Sequence, residues 1–162
     1  MSLTPMHLGH VVMRVRELER SVDFYTRIMG LTIMVKSERS CFMSANTDKS
    51  HELATFELGP DAPGPDQSRV GQAHMAWQMK SFEDLQELYN RLRENEIRIK
   101  HIADHGLSLG VYLLDPDDNE IEIYYELPRS RWQWTEKGGP FGGSFPFKLE
   151  EQLEEPLETA AD

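Results

Sequence analysis

The chain has 162 residues, one cysteine and a formal net charge of −11, with 17 Lys and Arg against 28 Asp and Glu. The acidic balance excludes a basic nucleic-acid-binding surface over the whole chain, and a single cysteine excludes an internal disulfide. No apolar run approaches the roughly 18 residues of a membrane span, and residues 1–10 lack a signal-peptide pattern. We therefore expect an acidic, cytoplasmic globular protein with no nucleic-acid or membrane partner.

The first half of the sequence predicts a strand, a helix and three further strands. Apolar and polar residues alternate over 8–16, as they do in a half-buried strand. An apolar stripe predicts a helix over 18–29, and Gly30 after it suits a left-handed cap. The stripe consists of Leu18, Val22, Tyr25 and Met29. The three strands are predicted near 31–37, 40–46 and 51–58, and prolines and glycines over 59–71 predict a linker.

The second half repeats this order. A strand is predicted over 72–80 and a helix over 81–95, followed by strands near 97–103, 107–114 and 119–126. The turn between the last two strands has Pro116 pre-set for its first corner and Asn119 tolerant of positive φ. The alternation stops after Pro128.

The chain after Pro128 has an aromatic segment and an acidic end. Residues 129–147 contain several aromatic side chains, and we expect them to pack over the body of the protein or over a partner subunit. The acidic stretch over 148–162 is expected to be solvated, or to form a docked helix on Leu149, Leu153 and Leu157.

Matching residues recur in the two halves at one constant offset, which indicates a duplication. His10, Tyr25 and Arg27 in the first half correspond in this way to His74, Tyr89 and Arg91 in the second. Two facing copies would bring the two histidines together. The last strand has Glu120, Glu122 and Tyr124 on one face. Two imidazoles and one of these carboxylates would suit an open-site divalent metal, and a facial arrangement would suit non-haem Fe(II).

These residues resemble the vicinal oxygen chelate superfamily, and within it the type I extradiol ring-cleaving dioxygenases of the catechol 2,3-dioxygenase kind. The resemblance covers about residues 6–127. The third motif of the family is Asp-Pro-x-Gly-Asn-x-x-Glu, and its last residue implies that Glu122 rather than Glu120 is the carboxylate ligand. This chain has Asp118 at the position where the motif has Gly. The matching stretches are Leu8-Gly9-His10-Val11-Val12, Ala73-His74-Met75-Ala76-Trp77 and Asp115-Pro116-Asp117-Asp118-Asn119-Glu120-Ile121-Glu122.

Two further stretches resemble the dioxygenases more than their isomerase relatives. One is Ser50-His51-Glu52-Leu53-Ala54, and the other is Asp104-His105-Gly106-Leu107-Ser108 followed by Val111-Tyr112. The resemblance implies that His51 and His105 line the pocket and share proton transfer without binding the metal. It implies that Tyr112 donates a hydrogen bond to a substrate oxygen.

The implied fold is α+β, with two paired βαβββ modules forming a metal-binding cup. The domain would span 1–128, with modules at about 6–58 and 71–127, and 129–162 would be a C-terminal extension. The implied activity is extradiol cleavage of a catechol-like aromatic vicinal diol by O₂. The implied metal is Fe(II), held by His10, His74 and Glu122, with Mn(II) or another divalent ion as an alternative. The resemblance also implies a homo-oligomer.

Two other functions remain open at this stage. One is a metal-dependent isomerase or epimerase resembling glyoxalase I, for which Glu57 would be the candidate fourth ligand. The other is a metal-free small-molecule binding protein of the same fold. His7 and His101 match no motif and are expected at the surface, and Cys41 is expected to be a buried, small apolar residue.

Overall fold

The computed structural model describes residues 3–140 and 142–149. These residues form two compact units that divide between Pro65 and Asp66, inside the stretch predicted as a linker. Each unit has the order strand, helix and three strands, so the protein is α+β with two βαβββ modules, as the sequence predicts. Within the described ranges, none of the helices has the length and apolar character needed to cross a membrane.

The first unit is a four-stranded mixed sheet with one helix against it. The strand order is β1-β4-β3-β2; β1 and β4 are parallel, and the other neighbours are antiparallel. The elements are β1 (Val11–Val15), α1 (Leu18–Asp23), β2 (Thr32–Lys36), β3 (Ser40–Ser44) and β4 (Leu53–Glu57).

The second unit repeats this plan and adds one short strand at its edge. The strand order is β5-β8-β7-β6-β9, and β5 and β8 form the parallel pair. The elements are β5 (Met75–Gln78), α2 (Phe82–Glu94), β6 (Ile99–Asp104), β7 (Ser108–Leu114), β8 (Glu120–Glu126) and β9 (Phe145–Pro146).

The duplication extends to the element boundaries. The first strands begin at Val11 and Met75 and the helices at Leu18 and Phe82, so both pairs keep the offset that relates His10 to His74. The later strands are related by a slightly larger offset, because the helical segment and the loop after it are together longer in the second module. Both first strands are shorter than predicted, and the two histidines each lie one residue before their strand. They therefore occupy equivalent places in the two modules.

The first helix differs from the regular helix that the stripe predicts. A π-helical turn over Phe24–Ile28 follows α1, and the N–H of Met29 donates to the carbonyl of Phe24. Within this turn Ile28 is fully buried, whereas Met29, the predicted end of the stripe, is only half-buried.

Two positive φ angles fix the ends of elements that position the site. Gly30 has φ +78° and ends the π turn, as its predicted role as a cap requires. In the turn between β7 and β8 the positive φ of +70° falls on Asp118, and the prediction for Asn119 was wrong. The related motif has Gly at this position because glycine adopts that conformation without strain. Asp is among the few other residues that tolerate it.

The hydrophobic core of each unit lies between its helix and its sheet. In the second unit Ile121 and Ile123 of β8 are fully buried, and so are Leu85 and Leu92 of α2, the helix that packs against this strand. In the first unit Cys41 is fully buried, as predicted, and burial raises the pKa of its thiol. The helices thus cover one face of each sheet, and the opposite face carries the histidines and Glu122.

The cap at the start of α2 can be tested by mutation. The side chain of Ser81 accepts the N–H of Asp84 at 3.1 Å and caps the helix. We expect Ser81→Ala to lower the free energy of unfolding by about 1 kcal/mol, because one helical N–H loses its acceptor. Urea unfolding measures this change, and Ser81→Asp is the control that keeps an acceptor. Equal stability of Ser81→Ala and the wild type would contradict the assignment.

Candidate metal centre and proton-transfer site

His74 and Glu122 lie side by side in the second unit. The parallel pairing of β5 and β8 sets Ala76 opposite Glu122, and His74 lies two residues earlier on the same face. The His74 Nε2 atom is 3.3 Å from the Glu122 Oε2 atom. The Glu122 side chain is 10% exposed, and that of His74 is 36% exposed. A buried carboxylate thus faces a half-exposed imidazole.

This spacing fits two ligands of one metal ion. Nitrogen and oxygen ligands bind divalent metals at about 2.0–2.2 Å, so two such atoms at a right angle are about 3.0 Å apart. Glu120, the other acidic side chain considered on β8, instead forms an ion pair with Lys100. The donor set and the spacing therefore favour Glu122 over Glu120 as the metal ligand.

A glycine on the neighbouring strand makes room for this carboxylate. Gly110 lies in the middle of β7, and a Cβ atom placed on it would lie 2.6 Å from the Glu122 Oε1 atom. Such a distance is a clash, but the clashing atom is the end of a side chain that can rotate away. Gly110 therefore leaves open the space that the Glu122 carboxylate occupies.

We expect Gly110→Ala to weaken metal binding by about 10- to 100-fold, because the new methyl group displaces the carboxylate from its position beside His74. Metal titration of the purified variant measures the affinity. The unfolding midpoint should change little, since Glu122 can rotate. Wild-type affinity in a folded Gly110→Ala protein would show that Glu122 does not need this position.

His105 and Tyr112 complete a connected group with Glu122. Tyr112 on β7 pairs with Glu122 on β8, and its hydroxyl is 2.9 Å from the His105 Nε2 atom. The same nitrogen is 3.9 Å from the Glu122 Oε1 atom. Burial raises the pKa of the Tyr112 hydroxyl, and the Glu122 carboxylate raises it further. Tyr112 therefore stays protonated and can donate a hydrogen bond.

His101 belongs to the same face, although it matches no motif in the sequence. It is exposed, and its ring stacks on the ring of Tyr112, with centroids 4.2 Å apart and planes at 11°. This contact and the room provided by Gly110 were missed at the level of sequence. The signals that could have found them are a glycine inside a predicted strand and the cross-strand position of His101.

The first unit brings the other two predicted histidines together. The ring centroids of His10 and His51 are 4.4 Å apart, and Phe42 meets His51 edge to face at 5.1 Å. The loop before β4, which carries His51, is tied down by the adjacent Glu52. Its carboxylate accepts the N–H of Ala45 at 2.9 Å and the hydroxyl of Ser44 at 3.0 Å.

Glu57, the candidate fourth ligand of an isomerase, has a different role in the first unit. Its carboxylate accepts the N–H of Leu18 at 2.9 Å, at the first residue of α1. A carboxylate at a helix N-terminus satisfies a free backbone donor and opposes the positive end of the helix dipole. This contact ties β4 to the start of α1.

The six predicted residues are therefore found in two groups, one in each unit. His10 lies beside His51, and His74, His105 and Tyr112 surround Glu122. Within residues 3–140 and 142–149, no three or more His, Cys, Asp or Glu side chains form a group that could hold a metal ion. The joining of His10 to the pair His74 and Glu122 stays a prediction.

The fold and this set of side chains define the class of protein. Residues 7–123 match the model of the Glyoxalase/Bleomycin resistance protein/Dioxygenase superfamily. The chain belongs to this superfamily. Its members include catechol dioxygenases, lactoylglutathione lyases and fosfomycin resistance enzymes, so membership does not fix the reaction.

Three individual proteins show how similar the chain is to members with different names. The chain is 35% identical over 150 residues to a protein named Catechol-2,3-dioxygenase from Bacillus subtilis (strain 168), covering 92% of this chain and 52% of that protein. It thus spans about half the length of that relative. It is 28% identical over 141 residues to Lactoylglutathione lyase from Escherichia coli O157:H7, covering 78% and 97%. A glyoxalase/dioxygenase structure from Nostoc punctiforme superposes with a TM-score of 0.64 at 22% identity, covering 79% and 98%, and shows the same fold.

Proposed function

We propose that this protein is an extradiol ring-cleaving dioxygenase that acts on a catechol-like aromatic vicinal diol with Fe(II) and O₂. The observation that carries the proposal is the group in the second unit, in which His105 and Tyr112 adjoin the pair His74 and Glu122. This group combines candidate metal ligands with groups that can move a proton. The similarity to a catechol dioxygenase supports the proposal independently.

His10, His74 and Glu122 are the residues that would hold the metal in this proposal. Two imidazoles and one carboxylate suit Fe(II), and Mn(II) or another divalent ion fits the same donors. Such an ion would supply open positions for two adjacent diol oxygens and for O₂ and would make a bound hydroxyl more acidic. The Glu122 carboxylate would offset part of its charge.

The proton chemistry falls to the side chains around this set. Ring cleavage needs a base that takes a proton from the diol and an acid that returns one. In this proposal the Nε2 atom of His105 takes and returns the proton, and the Tyr112 hydroxyl, 2.9 Å from Nε2 in the free protein, turns its hydrogen to a diol oxygen when the diol binds. His51, which lies next to His10, is the second histidine assigned to proton transfer.

An isomerase of the glyoxalase I kind is the alternative that the similarity to a lactoylglutathione lyase keeps open. That reaction would call on Glu57 as a further metal ligand. The contact between Glu57 and the N–H of Leu18 argues against this, because moving the carboxylate would leave the start of α1 without its acceptor. The dioxygenase is therefore the function that we put forward.

Oxygen consumption distinguishes the two functions. The protein is purified without oxygen, loaded with Fe(II) and offered catechol, alkyl-substituted catechols and two-ring diols. We expect oxygen uptake with at least one diol, together with a yellow semialdehyde-type product. The parallel assay uses the hemithioacetal of methylglyoxal and glutathione. No uptake with any diol, together with turnover of the hemithioacetal, would overturn the proposal and favour the isomerase.

A further inference from the structure

The second ring nitrogen of His105 has a partner from outside the superfamily match. The Nδ1 atom lies 2.7 Å from the backbone carbonyl oxygen of Gly143. A carbonyl oxygen only accepts hydrogen bonds, so the nitrogen that faces it carries the proton. In a neutral imidazole the other nitrogen, Nε2, then has a free lone pair and accepts a hydrogen bond.

The opposite tautomer is disfavoured by the contact with Gly143. It would set the lone pair of Nδ1 against the lone pairs of the Gly143 oxygen at 2.7 Å. The contact with Tyr112 fits either tautomer, because a hydroxyl group both donates and accepts, so the Gly143 contact decides between them. With the proton on Nδ1, the Tyr112 hydroxyl donates to Nε2 at 2.9 Å, and both contacts are satisfied.

The segment that supplies this carbonyl is held in place at several points. Strand β9 begins two residues after Gly143 and pairs with β6, with Phe145 opposite Asp104. At the end of the segment Leu149 is 2% exposed, and its carbonyl accepts from Gln86 on α2. The carbonyl of Gly143 therefore lies on a docked piece of chain, although the superfamily match ends at residue 123.

We propose that the Gly143 carbonyl is a positioning group that fixes His105 as its Nδ1–H tautomer, which leaves the lone pair of Nε2 free to accept a proton. The C-terminal extension then forms part of the site. The role in catalysis rests on the proposed function, whereas the tautomer itself does not. Partners of this kind in other sites change activity or affinity by about 10- to 100-fold when they are lost.

Nuclear magnetic resonance of the full chain tests the tautomer directly. Two-bond nitrogen–proton correlations of protein labelled with ¹⁵N-histidine separate the two neutral tautomers, and the spectrum of His105→Gln assigns the signal. We expect the Nδ1–H form in the wild type and in Tyr112→Phe, because Gly143 rather than Tyr112 sets the proton position. The Nε2–H form in the wild type would overturn the proposal.

An insertion tests whether Gly143 is the cause. Two glycines inserted between Gly143 and Ser144 shift the carbonyl, and the same insertion between Val70 and Gly71, in an exposed loop, is the matched control. We expect only the first insertion to abolish the preference for Nδ1–H and to lower kcat by about 10- to 100-fold at unchanged metal content. An unchanged tautomer in the folded first variant would overturn the proposal.

The two proposals fail in different ways. A wild-type protein with the Nδ1–H form that turns over the hemithioacetal and takes up no oxygen with any diol would refute the dioxygenase and leave the Gly143 contact supported. Oxygen uptake by a protein with the Nε2–H form would refute the role of Gly143 and leave the dioxygenase supported. If the insertion prevents folding, the spectra of the wild type and of Tyr112→Phe still decide which tautomer His105 adopts and whether Tyr112 sets it.

Discussion

Replacement of Glu122 by Gln is expected to lower kcat/KM for the diol by about 10³-fold or more and to remove tight metal binding. The amide keeps the size of the side chain but removes the negative charge beside His74. The stabilisation that a metal gives to developing charge is worth several kcal/mol, and each 1.4 kcal/mol corresponds to about tenfold in rate. Metal content by mass spectrometry and oxygen uptake measure the two losses.

Glu120 provides the matched control on the same strand. Its carboxylate pairs with Lys100. Glu120→Gln therefore removes the same charge as Glu122→Gln, two residues earlier on β8. We expect this variant to keep its metal and most of its activity. If Glu120→Gln loses the metal and Glu122→Gln retains it, the carboxylate ligand has been assigned to the wrong residue.

Replacement of His51 or His105 by Gln is expected to lower kcat by about 10²- to 10⁴-fold while the metal content stays the same. This range is what a general acid or base contributes when it is correctly placed. Rapid-mixing kinetics with the diol under limiting O₂ would show whether the lost step precedes or follows substrate binding. The two variants are compared separately because the two histidines lie in different units.

His7 is the control for the histidine variants. It is exposed, and it matches no motif of the related dioxygenases. His7→Gln should therefore keep wild-type kcat and metal content. A His51→Gln protein with unchanged kcat would remove His51 from the mechanism, and the same result for His105 would also remove the catalytic reason for the Gly143 contact.

The order of elements could be predicted because it depends on local patterns, whereas His105 and Tyr112 beside Glu122 were predicted from the resemblance to the extradiol dioxygenases. Alternation placed Glu120, Glu122 and Tyr124 on one face of the last strand, and Ile121 and Ile123 between them are fully buried on the other face. The duplication was visible because His10 and His74 recur at the same offset as their neighbours. Such features follow from periodicity and from the chemistry of single residues.

The features that could not be predicted depend on contacts between distant parts of the chain. The apolar stripe does not reveal the π turn after α1, nor that Ile28 rather than Met29 is fully buried, because both residues are apolar. The role of Gly110 depends on the Glu122 side chain, which lies on the next strand. The contact of the Gly143 carbonyl has no sequence signature, because every residue has a backbone carbonyl group.

The parallel pairing of the first and last strands in each module sets an order for folding. In the first module β1 pairs with β4, which follows only after a helix and two further strands, and in the second β5 pairs with β8 in the same way. A newly made chain can close the local hairpins before either of these pairs exists. Closing the longer loop costs more entropy and slows the step.

His10 and His74 both precede strands that are added in this way, so each is fixed only when its module is complete. A metal ion that requires both histidines would therefore bind late, after the sheets have formed, rather than organise their folding.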